Sequence, residues 1–200
     1  MNHTPKKYTS GAPAYAYLLT IRTYASWLHG DARGSVDPRH NKFDTPTIQP
    51  SRALEKVMCS GTIETSFKMQ ENYRDTVLQS VMETCRYNHW HLFALHIRIE
   101  HMHLVVQSSM PKEKTMGKIK CYATKDLKKS HPELLQRKNF WSRHGSTKNI
   151  WAPEAIFPAL YYVVKKQGKK PMALYYDQQY YSNFDEQLYE LYADESVCDD

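Results

Sequence analysis

The spacing of apolar residues changes several times along this 200-residue chain. Residues 15–24, "YAYLLTIRTY", are rich in Tyr, Leu, Ile and Thr and predict a first strand. A polar stretch with Gly30, Gly34, Pro38, Pro46 and Pro50 follows, and a loop of that length (25–50) is usually functional or disordered. A short helix is expected over 51–59. In "ENYRDTVLQSVMETCRYNHW" (71–90) the residues Val77, Leu78, Val81, Met82 and Cys85 recur at the 3.6-residue period of a helix. Residues 92–99 and 101–107 predict two strands joined tightly through Glu100. Pro111 opens a second helix over about 112–129, with Met116, Ile119, Ala123 and Leu127 on its buried face and lysines over most of the rest. "NFWSRHGSTKNIW" (139–151) predicts a bent strand or hairpin with a Gly-Ser-Thr bulge. A third helix falls within 153–167, with Pro158 at its start or in its first turn. After Gly168 the chain is Tyr-rich and then acidic.

Strand, helix, strand, strand, helix, strand, helix is the order of an α+β sandwich: an antiparallel sheet with helices packed mainly on one face. The length fits one domain, expected over residues 14–173, between a disordered segment (1–13) and a Tyr-rich, then acidic tail (174–200). No run of 18 apolar residues predicts a membrane span, and the N-terminal stretch lacks a signal-peptide core, so a cytoplasmic location is expected. The four cysteines, Cys59, Cys85, Cys121 and Cys198, form no C-x-x-C pair and read as free thiols.

Charge narrows the partner. The formal net charge is +6, but residues 177–200 carry eight acidic residues and no Lys or Arg, which leaves +14 on residues 1–176. A basic body of that kind fits a polyanion. The acidic end either competes for the basic surface or is simply solvated.

The chemistry centres on "IEHMHLVV" (99–106). In a strand, His101, His103 and Val105 point to one face and Met102, Leu104 and Val106 to the other. Two imidazoles side by side can chelate one divalent cation. With ten histidines in the chain, roughly half an H-x-H arises by chance, and His89-Trp90-His91 is a second copy, so the spacing alone is weak. A structural zinc site built from His89, His91, His101 or His103 with a cysteine is a competing reading.

Several stretches in order strengthen the first reading: "YLLTIRTYASWLHGDARGSVD", "HIRIEHMHLVV", "MGKIKCYATKDL", "WSRHGSTKNIW" and "YYVVKKQG". Together, over roughly residues 15–173, they resemble the HUH single-strand transposases with one catalytic tyrosine, a group that includes the insertion-sequence-200-like and REP-associated tyrosine transposases. The resemblance implies a ferredoxin-like catalytic domain that cleaves and rejoins single-stranded DNA near hairpins. It also implies that His101 and His103 hold Mg²⁺ or Mn²⁺, and that a tyrosine on the last helix forms a 5′-phosphotyrosine and frees a 3′-OH.

Family order leaves Tyr161 and Tyr162 as nucleophiles, with Tyr162 favoured because "YVVKKQG" aligns best. Tyr122, on the preceding lysine-rich helix, is expected to contact DNA or pack. Many relatives carry a third ligand, Gln or Asn, four residues after the tyrosine. Here that position is Lys166, and Gln167 is the fifth, about 140° away on an ideal helix. Gln167 is the expected third ligand only if a helix end or a π-bulge restores its direction, and Lys166 is an alternative phosphate contact. The expected DNA-binding rim is Lys118, Lys120, Lys125, Arg143, His144, Ser146, Thr147 and Lys148, although a lysine face on a helix can also be merely solvated. Trp27, His29 and the loop around them are expected to shape the DNA site. Single-stranded or hairpin DNA is the expected partner, a homodimer is allowed, and no membrane partner is expected. A non-catalytic nucleic-acid-binding protein on the same fold is the alternative if the Lys166/Gln167 departure has broken the site.

Overall fold

The structure, a computed structural model, describes residues 14–32, 49–168 and 173–182. Strand β1 (Ala16–Arg22) alternates strictly. Tyr17, Leu19 and Ile21 are buried on one face, while Ala16, Leu18, Thr20 and Arg22 point to the other. Helix α1 (Arg52–Ser60) follows, started by the Ser51 hydroxyl, which accepts from the Leu54 N–H at 3.3 Å, and it buries no residue. Helix α2 (Glu71–Tyr87) buries Tyr73, Val77, Val81 and Cys85 along one stripe, and burial pushes the Cys85 thiol up to about 12. Strands β2 (His91–Ile97) and β3 (His101–Gln107) form a hairpin closed by the Arg98 N–H donating to the His101 carbonyl at 2.8 Å. Helix α3 (Lys112–Ser130) presents Met116, Ile119, Ala123 and Leu127 to the same core as α2, and Ser80 of α2 donates to Asp126 of α3 at 2.6 Å.

Strand β4 (Ser146–Ile150), helix α4 (Ile156–Val164), strand β5 (Ala173–Tyr176) and the short helix α5 (Gln178–Ser182) complete the described chain. The bent segment predicted over 139–151 is thus mostly irregular, tied to β1 by a Thr23–Trp141 bridge before β4 begins. A 3-10 turn at Pro153–Ala155 leads into α4, and Pro158 is the third residue of that helix, where its missing N–H would have no intrahelical partner.

The sheet order is β4-β1-β3-β2-β5, and every neighbouring pair is antiparallel. The first four strands have the order and direction of the split βαβ arrangement, so the α+β, ferredoxin-like expectation holds. The expected domain edge at residue 173 is corrected: Ala173 is the first residue of β5, so the sheet extends past it and only residues beyond Ser182 are left for a tail. The disorder expected over 1–13, residues 33–48 of the loop expected over 25–50, the acidic end 183–200 and Cys198 lie outside the described residues. Cys59, Cys85 and Cys121 are free thiols. Among the described residues, no helix is long and apolar enough to cross a membrane.

The two faces of the sheet differ. One is covered by α2 and α3, with Leu19, Ile21, Leu95, Ile97, Met102 and Leu104 fully buried between. The other is covered mainly by α4, with Tyr180 of α5 set against Phe93. Ile156, Ala159, Leu160 and Val163 pack there on Ala16, Phe93, Ala94, Val105 and Ile150, each large side chain contributing about 1.5–3 kcal/mol by leaving water. A bulge between Leu92 and Ala94 turns both Phe93 and Ala94 toward α4. Among the described residues this cover leaves part of the face without a helix, and the polar residues sit there.

Candidate active site

The strand registers generate the site. Thr20 pairs with His103, and His103 with His96; in the next row Arg22 pairs with His101. Directly paired residues project to the same face, so Thr20, Arg22, His96, His101 and His103 share one patch beside the C-terminal turn of α4. The His101 and His103 rings stand 4.8 Å apart between centroids. Tyr162, on α4, lies edge-to-face with His103 at 5.3 Å and keeps 41% of its surface exposed. His101, His103 and Tyr162 therefore come together within one chain.

Each histidine is set by its surroundings. His103 is 6% exposed, and its Nδ1 lies 2.8 Å from the Thr20 hydroxyl. Burial holds its pKa down at about 3, and the charges of His101, His96, Arg22 and Arg98 act in the same direction. His96 is fully buried and donates from Nδ1 to the Val163 carbonyl at 3.0 Å, which fixes its tautomer and satisfies a carbonyl at the end of α4. Its Nε2 is buried without a hydrogen-bond partner among the described residues. Burial also lowers the His96 pKa. Both buried imidazoles are thus held neutral.

The other expected site residues are distributed unevenly. Tyr161 is the half-buried neighbour of Tyr162, with the Lys166 ammonium 5.3 Å from its ring centre. Gln167 donates from its side-chain amide to the Tyr162 carbonyl at 2.9 Å, so its amide caps the end of α4. Ser146 pairs with Thr20 and Lys148 with Leu18, which puts both on the histidine face along the edge strand, while Thr147 pairs with Leu19 and faces away. Arg143 and His144 are exposed in the turn before β4. Lys120 is partly buried and donates to the carbonyls of Ser142 and His144 at 2.9 and 3.2 Å, and burial lowers its pKa. It braces that turn from behind. Gly145 is needed there, since a Cβ would stand 2.5 Å from the Thr20 carbonyl oxygen. Lys118 donates to Asn88 and lies over Trp90, and Lys125 is exposed on α3; both belong to the helix behind the sheet. Tyr122 is exposed on the same helix.

The second H-x-H has structural work. His91 is bonded to Asp177 at 2.9 Å, joining β2 to the segment after β5, and His89 adopts a left-handed turn with φ 54°. Among the described residues, no group of three or more His, Cys, Asp or Glu side chains is placed to hold one metal ion. The zinc reading therefore finds no ligand set there.

Sequence reasoning missed Thr20, Arg22, His96 and Arg98. The signal was present in "HIRIEHMH" (96–103): once the hairpin closes at 98–101, His-x-Arg folds onto His-x-His with all four side chains on one face.

The family model described as "Transposase IS200 like" matches residues 55–148, a span that contains His101 and His103 and ends before α4. Among solved structures, the chain is similar to a REP-associated tyrosine transposase bound to a REP hairpin (12% identity, 82% of this chain and 70% of that one, TM-score 0.41). It is also similar to a candidate transposase from Deinococcus radiodurans R1 (12% identity, 82% of this chain and 100% of that one, TM-score 0.45). No curated protein matches the sequence. The resemblance carried by the motifs is thus borne out: over residues 55–148 this chain has the sequence pattern of the IS200-like transposases.

Proposed function

We propose that this protein is a metal-dependent single-stranded DNA endonuclease and strand transferase acting near DNA hairpins, with Tyr162 as its nucleophile. The observation that carries the reading is the Tyr162 ring set against His103, on the face it shares with His101. Tyr161, one residue earlier, points about 100° away around the helix.

The pair suits a divalent cation such as Mg²⁺ or Mn²⁺. Burial keeps His103 in the neutral form that can donate a lone pair, and the Thr20 hydroxyl beside Nδ1 leaves Nε2 for the ion. Bound there, the ion would stabilise charge on the phosphoryl oxygens. In this reading the two imidazoles are the first protein ligands, and Gln167, whose Nε2 is spent on its own helix end, would add Oε1 as the third. Tyr162 Oη attacks phosphorus and gives up its proton, the P–O3′ bond breaks, the upstream strand leaves with its O3′ protonated to a 3′-OH, and the downstream strand stays on the tyrosine through its 5′-phosphate. The tyrosyl ester conserves the bond for rejoining without ATP. Exposure of Tyr162 leaves room for a DNA strand to reach it.

The test is the covalent adduct. Purified protein with Mn²⁺ and labelled hairpin or single-stranded oligonucleotides is expected to give a protein–DNA band on a denaturing gel. Tyr162→Phe, which removes one oxygen, should eliminate that band and spare folding and binding. A band that persists in Tyr162→Phe and vanishes in Tyr161→Phe would move the nucleophile by one residue. DNA binding with no adduct from the wild type would favour a binding-only protein, a reading supported by the Gln167 amide being used as a helix cap.

A further inference from the structure

Two arginines flank the histidine pair. Arg22 is paired across the sheet with His101 and continues the row outward on β1. Its guanidinium sits over the Trp27 ring, with the central carbon 3.8 Å from the ring centre. The turn that returns Trp27 to this place is built for the purpose. Ala25 takes a left-handed φ of 53°, and Ser26 donates to the Thr23 and Glu100 carbonyls at 2.9 and 3.3 Å. Arg98 stands on the other side of His101, two residues after His96 and joined to His101 by the hairpin hydrogen bond. Its guanidinium reaches the chain just after α4, where a Cβ at Gly168 would lie 3.4 Å from Nη1. Gly168 has φ +87° and so keeps that place free of a side chain. Nη1 of Arg98 is buried without a hydrogen-bond partner among the described residues.

We propose that Arg22 and Arg98 form a two-sided clamp for a single phosphodiester of the bound strand, centred on His101. The proposal rests on the strand-transfer reading for the identity of the polyanion. The chemistry follows from the placement. Arginines on the two chain segments either side of His101 can each present a fork to one of the two non-bridging oxygens of one phosphate. The contact with Trp27 holds the Arg22 guanidinium in place in advance. An anion would give Arg98 Nη1 the acceptor that the described residues do not supply. The lysines of α3 are on the far side of the sheet and cannot serve this purpose.

The experiment compares full-length wild type with Arg22→Gln, Arg98→Gln, the double variant, and the corresponding lysine variants. Binding of a fluorescent single-stranded oligonucleotide is measured by anisotropy in EDTA across a salt series, with a thermal melt for each protein. Each glutamine change should weaken binding about 10-fold, and the double variant less than the product, because both residues hold the same phosphate. The double variant should also lose about 0.7 from the slope of log affinity against log salt. Lysine should restore the slope but only part of the affinity, since it lacks the planar fork. A scan of single neutral methylphosphonates along the oligonucleotide should find one position that weakens wild-type binding and has no effect in the double variant. The clamp is overturned if the slope is unchanged in the double variant, or if every methylphosphonate costs the same in both proteins. An adduct that forms normally in the double variant would sink the clamp and leave strand transfer standing. A methylphosphonate signature without any adduct would do the reverse.

Discussion

Burial decides what His103 can do before any ligand arrives. A histidine with a folded pKa of about 3 binds its proton only in the unfolded chain over most of the acidic range. The sign follows directly: with the folded pKa depressed, the unfolded state holds more protons below about pH 6.5, so stability falls as pH drops from there toward 3. His96, whose pKa is also lowered, acts in the same direction. Each such histidine contributes a slope of at most about 1.4 kcal/mol per pH unit. Glu64 and Glu133 have pKa values lowered by hydrogen bonds, so their contribution is lost only at lower pH, below the ordinary carboxylate range. Urea unfolding of metal-free protein between pH 7.5 and 5 should therefore show falling stability, and His103→Gln should flatten the slope. A stability independent of pH in that window would mean that His103 is solvated. None of this was legible from H-x-H spacing, because burial depends on which neighbours the registers bring. Thr20 and His96 lie 83 and 7 residues from His103 in sequence, yet both pair with it.

At the scale of elements, the hairpin and α4 make the site together. The hairpin was readable, since two apolar runs around Glu100 left little else, and alternation correctly put Met102, Leu104 and Val106 toward α2 and α3. Helix α4 was readable as a helix, but its position over the second face was not, since a run as apolar as "IFPALYYVV" has no polar side to orient it. Strand β5 escaped because "ALYY" is too short to show a period. Beside the apolar packing of α4 on Phe93, Ala94 and Val105, a polar contact ties it to the hairpin, from His96 to the Val163 carbonyl. His96→Leu keeps much of the volume but strands that carbonyl, at a cost of about 1–3 kcal/mol. Its local signature is more telling than its size. The amides of Lys165 and Lys166, which donate to the Tyr161 and Tyr162 carbonyls in the last turn, should exchange with deuterium faster in His96→Leu, while those of α2 and α3 hold their protection. Uniformly faster exchange across the molecule would mean that His96 stabilises the fold generally and does not specifically hold the nucleophile's helix.

At the scale of the whole molecule, charge and topology divide the labour. One face of the sheet is closed by α2 and α3 and holds the main core; the other is half open and holds the histidines, the arginines and Tyr162. The acidic end of the chain opposes the charge of this body. Residues 183–200 contain seven of the eight acidic residues that follow Tyr176 and no Lys or Arg, so ending the chain after Ser182 raises the net charge from +6 to +13. That truncation spares β5, the Asp177–His91 bond and α5. If the acidic end competes with a polyanion, the shortened chain should bind single-stranded DNA more tightly at low salt, chiefly through faster association. The gain should shrink as salt is raised, because at 1 M ionic strength the screening length is only about 3 Å. Stopped-flow anisotropy at 50 and 500 mM NaCl separates the outcomes. A gain confined to low salt identifies long-range competition by the acidic end. A gain that persists at high salt points to a docked segment that must be displaced, and no gain at either salt means that the segment is only solvated.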